Sequence, residues 1–132
     1  MEKAIAESSD VYFYNIADDL TVNSIAPFLK KFGFGKSSDL FINESQGILP
    51  DKKWKLGQKG EFWFKGDTIN MGIGQGYILA TPLQIALAYS ALINGGKLIS
   101  PRIVQSIEGE DTKFVSENIE IKDIQNLEYI KE

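Results

Sequence analysis

Residues 81 to 96 carry the most specific folding instruction in this chain. Thr81-Pro82-Leu83-Gln84 places a hydroxyl at a helix cap, a proline at the first helical position and a glutamine at the third. The Thr81 hydroxyl can accept from the Gln84 N–H, the Gln84 side chain can reach back to the Thr81 N–H, and Ala80 and Ile85 are spaced for a small hydrophobic staple. The stretch then runs through Ile85, Ala86, Leu87, Ala88, Tyr89, Ala91, Leu92 and Ile93, with only Gln84, Ser90 and Asn94 polar. That pattern predicts a buried central helix near 81–94, roughly 20 Å long. Asn94-Gly95-Gly96 offers a left-handed stop. Ahead of it, the stretch from Gly66 holds a loop dense in glycine.

The rest of the chain reads as α+β, mostly α. Lys3 to Glu7 reads as the end of one helix. Ser8-Ser9-Asp10 offers three capping residues for a second, carried by Val11, Tyr12, Phe13, Tyr14, Ile16, Ala17 and Leu20. Asp18-Asp19 and Thr21-Val22-Asn23 break it. Asn23 is placed to cap a third helix, Ser24 to Phe32, whose Ile25, Phe28, Leu29 and Phe32 fall on one face. Lys30 and Lys31 suit its C-terminal end, and Gly33-Phe34-Gly35 stops it. Residues 39–42 read as a short strand, 43–47 as a turn, and Pro50 to Trp54 as the start of a short helix capped by Asp51. Lys55 to Lys65 sets Phe62, Trp63 and Phe64 among lysines and glycines. It reads as a mobile flap, a surface binding loop or, preferred here, aromatics folded back onto a core. Residues 97–107 read as one or two strands split by Pro101. Glu108 to Asp111 follows as a turn and Thr112 to Val115 as a returning strand, a short β-hairpin near 97–115. Residues 122–132 read as the beginning of another helix. Both ends of the chain look cut through regular structure, as in a piece of a larger domain.

Composition excludes several classes. At 132 residues, 43% hydrophobic and 24% charged, the chain can bury a core as one domain or part of one. A formal net charge of −4 argues against nucleic-acid binding. No apolar run approaches the ~18 residues of a membrane span, and signal-peptide features are absent. With neither cysteine nor histidine, the chain offers no disulfide, no thiol nucleophile, no histidine metal site and no Ser–His–Asp triad.

Local chemistry alone does not name a function. Gly72, Gly74 and Gly76 fit neither phosphate-loop spacing, and suit close backbone packing instead. Asp10 and Asp67 are isolated carboxylates outside any metal-binding pattern. On physical grounds Ser8-Ser9-Asp10 is first a helix cap.

Several segments together resemble a known family. Ser8-Ser9-Asp10-Val11-Tyr12-Phe13-Tyr14, Phe32-Gly33-Phe34-Gly35, Gly47-Ile48-Leu49-Pro50 with Trp54, Gly66-Asp67-Thr68 with Gly72-Ile73-Gly74-Gln75-Gly76, and Thr81-Pro82-Leu83-Gln84 occur in order at fitting intervals. They resemble the transpeptidase domain of class B penicillin-binding proteins, nearest to the penicillin-binding protein 2 group of cell elongation. The likeness spans nearly the whole chain. Of the family's three motifs, S-x-x-K, S-x-N and K-T-G, only the second has a counterpart, with Asp10 in place of Asn. The resemblance places S-x-x-K before Met1 and the KTG-type strand after Glu132.

What the resemblance implies is a membrane-anchored parent acting outside the cytoplasmic membrane, on the periplasmic side. It would cross-link peptidoglycan stem peptides through a serine ester and be acylated by β-lactams. Ser8 would relay a proton between the S-x-x-K lysine and the departing nitrogen. Asp10 would orient that lysine and accept from a substrate amide. Ser9 would serve as a cap, and the glycine loop and central helix would back the site. No cofactor, metal or nucleic acid is implied, and cell-elongation proteins are candidate partners. The alternatives are a β-lactam sensor domain or non-catalytic scaffold on the same fold, and an unrelated helical binding module. Because no serine here is followed three residues later by lysine, labelled penicillin is expected to leave no covalent adduct on this chain. Denaturing gel fluorescence checks this, and a labelled band at this mass would refute it.

Overall fold

A computed structural model describes residues 1–40, 43–111 and 116–118. Among these residues there are five helices: α1 (Glu2–Ala6), α2 (Asp10–Lys31), α3 (Lys52–Lys59), α4 (Lys65–Gly72) and α5 (Pro82–Ile93). Four short strands follow: β1 (Lys97–Ile99), β2 (Ser106–Ile107), β3 (Glu110–Asp111) and β4 (Ser116–Asn118). The chain divides into two compact units, Met1–Leu29 with Ile48–Leu79, and Lys30–Gly47 with Ala80–Glu132.

In the first unit the core is Val22, Ala26 and Met71, with Ile25, Leu29, Leu49, Trp63 and Ile78 packed against it. The break expected at Asp18-Asp19 and Thr21-Val22-Asn23 is one residue wide, and Asp18 and Asp19 are helical. Thr21 leaves helical geometry at φ 59°, ψ 162°, and the helix resumes at once. The second half therefore starts at Val22, ahead of the Asn23 cap expected from sequence, and it accommodates Pro27 in its interior. Asp51 caps α3 as expected, accepting from the Trp54 N–H at 2.7 Å, and α3 continues to Lys59, into the stretch read as a flap or loop. Of the three aromatics there, only Trp63 is folded back; Phe62 and Phe64 are 77% and 63% exposed. The Trp63 indole N–H donates to Thr68 Oγ1 at 2.8 Å.

The start of the expected glycine loop is helix α4. Asp67 accepts from the Phe64 N–H at 2.7 Å and so caps it from its third position. Gly72 ends α4 where it meets α2. A Cβ there would overlap the Ala17 side chain and sit 3.2 Å from the Phe13 carbonyl oxygen. Close packing of backbone on backbone, and not a ligand loop, accounts for this glycine. An antiparallel bridge, Ile48 to Leu79, closes the unit.

In the second unit α5 has the expected ends. Thr81 and Gln84 exchange both bonds of the capping box, at 3.0 and 3.1 Å. Gln84 is buried, and its amide also donates to the carbonyls of Lys36 and Gln46 at 2.8 and 2.9 Å. The glutamine thus ties residues 36–46 to the helix. Ala88 and Ala91 pack with Phe32, Phe34, Leu92 and Leu98. Burial of α5 is one-sided, since Ile85, Tyr89 and Ile93 on the opposite face are exposed. Composition gave an apolar circumference but not which arc the chain covers.

The strands nest. β1 pairs with β4, and β2 with β3, both antiparallel. The inner turn is Glu108-Gly109 alone, both at positive φ (52° and 87°), as a two-residue primed turn requires. Glu110-Asp111 is therefore strand, where the sequence suggested turn. Asp39 has φ 60° and lies in a bend, so it does not begin the strand expected at 39–42; Phe41 and Ile42 lie outside the described residues, as do the returning strand at 112–115 and the helix at 122–132.

Gly72→Ala is expected to cost about 1–3 kcal/mol, since the methyl would meet backbone and a helical alanine. Urea unfolding of the two proteins measures it, and equal midpoints would refute the close approach.

Candidate active site

Ser8-Ser9-Asp10 forms the joint between α1 and α2. The Ser9 N–H donates to the Ala4 carbonyl at 2.8 Å, and the Ser8 N–H to that of Ile5 at 3.1 Å. This is the Schellman ending, in which the residue after the C-cap must be left-handed. Here that residue is Ser8, at φ 49°. The Ser9 carbonyl then accepts from the N–H groups of Tyr12 and Phe13, at 3.2 and 3.4 Å, so Ser9 starts α2. Asp10 occupies the first helical position, where a carboxylate suits the helix dipole. Ser8 and Asp10 are exposed, and Ser9 is half-buried. The structure brings both sequence-nominated residues to one joint, with Ser9 in the capping position.

The same ending closes two other helices. At α4 the Gln75 N–H reaches the Asn70 carbonyl at 2.9 Å and the Gly74 N–H reaches that of Met71 at 3.0 Å, with Gly74 at φ 72°. At α5 the Gly96 N–H reaches the Ala91 carbonyl at 2.8 Å, with Gly95 at φ 81°. Both left-handed positions are glycine, which meets no Cβ penalty there. At α1 the position holds a serine, whose side chain makes that conformation cost on the order of 1–3 kcal/mol. The α1 end thus keeps a hydroxyl where packing alone favours none.

Each unit also holds one ionic group with several partners. Lys55 is 2% exposed. Its Nζ donates to Asp67 Oδ2 at 2.7 Å and lies 3.6 Å from Glu61. The rings of Phe64 and Tyr77 lie 4.7 and 5.4 Å from it. The Asp67 hydrogen bond raises the Lys55 pKa, against burial, which lowers it. In the second unit, Glu44 Oε2 accepts from both Ser37 and Ser38 hydroxyls and from the Ser38 N–H, at 2.9–3.0 Å. Burial would raise its pKa, but the hydrogen bonds from Ser38, Ser37 and the backbone together hold it below the usual value. Neither residue was nominated from sequence. The lysine sits in a run rich in lysine, and its partner Asp67 is twelve residues away. Among the described residues no cluster of acidic side chains is arranged to hold a metal ion.

The family model of the penicillin binding protein transpeptidase domain matches residues 1–131. The chain belongs to this family. A Haemophilus influenzae protein named peptidoglycan D,D-transpeptidase MrdA is 43% identical over 110 residues, 83% of this chain and 17% of that protein. The crystal structure of Pseudomonas aeruginosa PBP2 in complex with WCK 5153 superposes with a TM-score of 0.89 at 34% identity, over 98% of this chain and 30% of that one. Helicobacter pylori PBP2, in a complex with MreC, superposes with a TM-score of 0.77 at 38% identity, over 95% and 23%. The chain therefore spans about a sixth of the curated relative's length. The penicillin-binding fold expected from the five sequence segments is the fold observed, and the α-rich character fits it.

Because folding raises the Lys55 pKa, the stabilisation from its pairing is complete below the ordinary lysine value of about 10.4 and is lost as pH climbs through the raised one. Lys55→Met is expected to be less stable than wild type near neutrality, with the gap closing at strongly alkaline pH. Urea titrations across that range check this, and a gap independent of pH would refute it.

Proposed function

We propose that this chain is an internal part of the transpeptidase domain of a peptidoglycan D,D-transpeptidase, and that Ser8 and Asp10 serve its active site. The observation carrying the site assignment is the left-handed Ser8, exposed beside Asp10, at a helix ending that two other helices of this chain close with glycine. The relative's name supports the reaction.

The reaction is acyl transfer. A serine from the S-x-x-K segment attacks the penultimate D-Ala carbonyl of a stem peptide, and the C–N bond to the terminal D-Ala breaks. An amine from a second stem peptide then displaces the serine and forms the cross-link. Ser8 Oγ can accept a proton from the lysine ammonium while donating its own to the departing nitrogen. Asp10, when ionised, accepts from that lysine and from a substrate N–H, and cannot donate as an asparagine would. β-Lactams mimic the D-Ala-D-Ala end: the same serine attacks the lactam carbonyl, the ring C–N bond breaks, and the ester is trapped.

The parent works on the outer side of the cytoplasmic membrane, where its polymer is built, through an anchor outside this chain. No described helix is long and apolar enough to cross a membrane. Cell-elongation proteins are its partners, a reading supported by the complex of Helicobacter pylori PBP2 with MreC.

In the full-length protein, Ser8→Ala and Ser8→Gly are each expected to slow acylation by fluorescent penicillin about 10²-fold. Ser8→Gly should also leave the melting temperature unchanged or raised, because glycine accepts φ 49° without strain. Wild-type acylation rates in both variants would leave Ser8 as a helix ending only.

A further inference from the structure

Lys52 to Lys65 is a basic island in an acidic chain. It holds five of the 14 lysines and arginines and a single acid, Glu61, in a sequence whose net charge is −4. Two of these lysines are ion-paired, Lys55 with Asp67 and Glu61, and Lys65 with Asp18 at 2.6 Å, and Lys59 lies over the Tyr77 ring. Lys52 and Lys53 are exposed and have no ion-pair partner among the described residues. They occupy the first two positions of α3, whose first turn contains no acid. The helix dipole disfavours positive charge at that end. Two lysines there cost local stability and add two positive charges to the dipole's, against the single Asp51 carboxylate held at the cap by the Trp54 N–H.

These lysines border a groove of about 360 Å³ lined with Leu56, Phe62 and Trp63. Leu56 and Phe62 are 51% and 77% exposed. Trp63 is different: it is half-buried, packed against the Val22, Ala26 and Met71 core, and fixed by its bond to Thr68. The groove therefore has a fixed aromatic floor, an apolar rim and a cationic edge.

We propose that this groove docks an acidic peptide segment of a partner protein, carrying one large apolar side chain. That side chain would enter between Leu56 and Phe62 onto Trp63, and flanking carboxylates would meet Lys52 and Lys53. Aromatic pockets of this kind concentrate binding energy, and the charges add steering and register. A recessed floor suits an inserted side chain better than a bilayer surface. The proposal is independent of the role given to Ser8 and Asp10.

The test is fluorescence anisotropy on the full-length protein, with a labelled Asp/Glu-rich peptide bearing one central Trp. Matched peptides carry Lys for the acids, or Ala for the Trp. Saturable binding is expected for the first peptide, weaker at high salt. The affinity should fall about tenfold or more in Phe62→Ala and in Lys52→Glu/Lys53→Glu, and hold in Lys97→Glu. All of these positions are exposed, and melting temperatures check folding; the double lysine variant decides if Phe62→Ala is destabilised. No binding of the acidic peptide, equal binding of the Lys-rich peptide, or wild-type affinity in both groove variants would overturn the proposal. So would binding to phosphatidylglycerol vesicles, lost in the same variants, without peptide binding: that result would assign the surface to lipid.

Discussion

The first unit depends on the contact between α2 and α4, and that contact exists because residue 72 has no side chain. A Cβ at Gly72 would intrude on Ala17 and on the Phe13 carbonyl. Two small residues let the backbones meet, and the Lys65–Asp18 pair spans the same two helices at the other end of α4. The front half of α2 follows directly from the Ser8-Ser9-Asp10 joint. The glycine segment that resembles a ligand loop instead seats the helix carrying the candidate active-site residues.

Each unit is then fastened by one polar side chain with several partners, half-buried Asp67 in the first and buried Gln84 in the second. In the first, Asp67 accepts from both the Phe64 N–H and Lys55, so one carboxylate starts α4 and holds α3 beside it. In the second, Gln84 completes the α5 cap and satisfies two carbonyls of the 36–46 segment. Removing either side chain would strand groups already withdrawn from water, which costs more than the bonds are worth in solution.

What the sequence disclosed divides along the same line. The α5 boundaries and the Asp51 cap rest on residues within three positions of each other, and local chemistry sufficed to read them. Helix α4 was missed because its two bounding glycines read as loop, and Gly72 has its reason in Ala17, fifty-five residues away. Lys55 was not singled out because its carboxylate partner lies beyond the reach of local pattern. At the candidate active site, Ser8 and Asp10 were nominated by likeness to a family motif. The left-handed backbone that distinguishes Ser8 from an ordinary cap leaves no trace in residue type, since serine is not the residue such a position selects.

The α1–α2 joint contains no loop. Ser9 closes one helix with its N–H and opens the next with its carbonyl, so the backbone on either side of Ser8 is fixed by two helices at once. The direction of the Ser8 Cα–Cβ bond is then settled during folding, leaving the hydroxyl one rotatable bond to its heavy atom. In the relay proposed for Ser8, a hydroxyl mounted this way has little orientational entropy left to lose in the transition state. Its advantage would appear chiefly in the activation entropy of acylation.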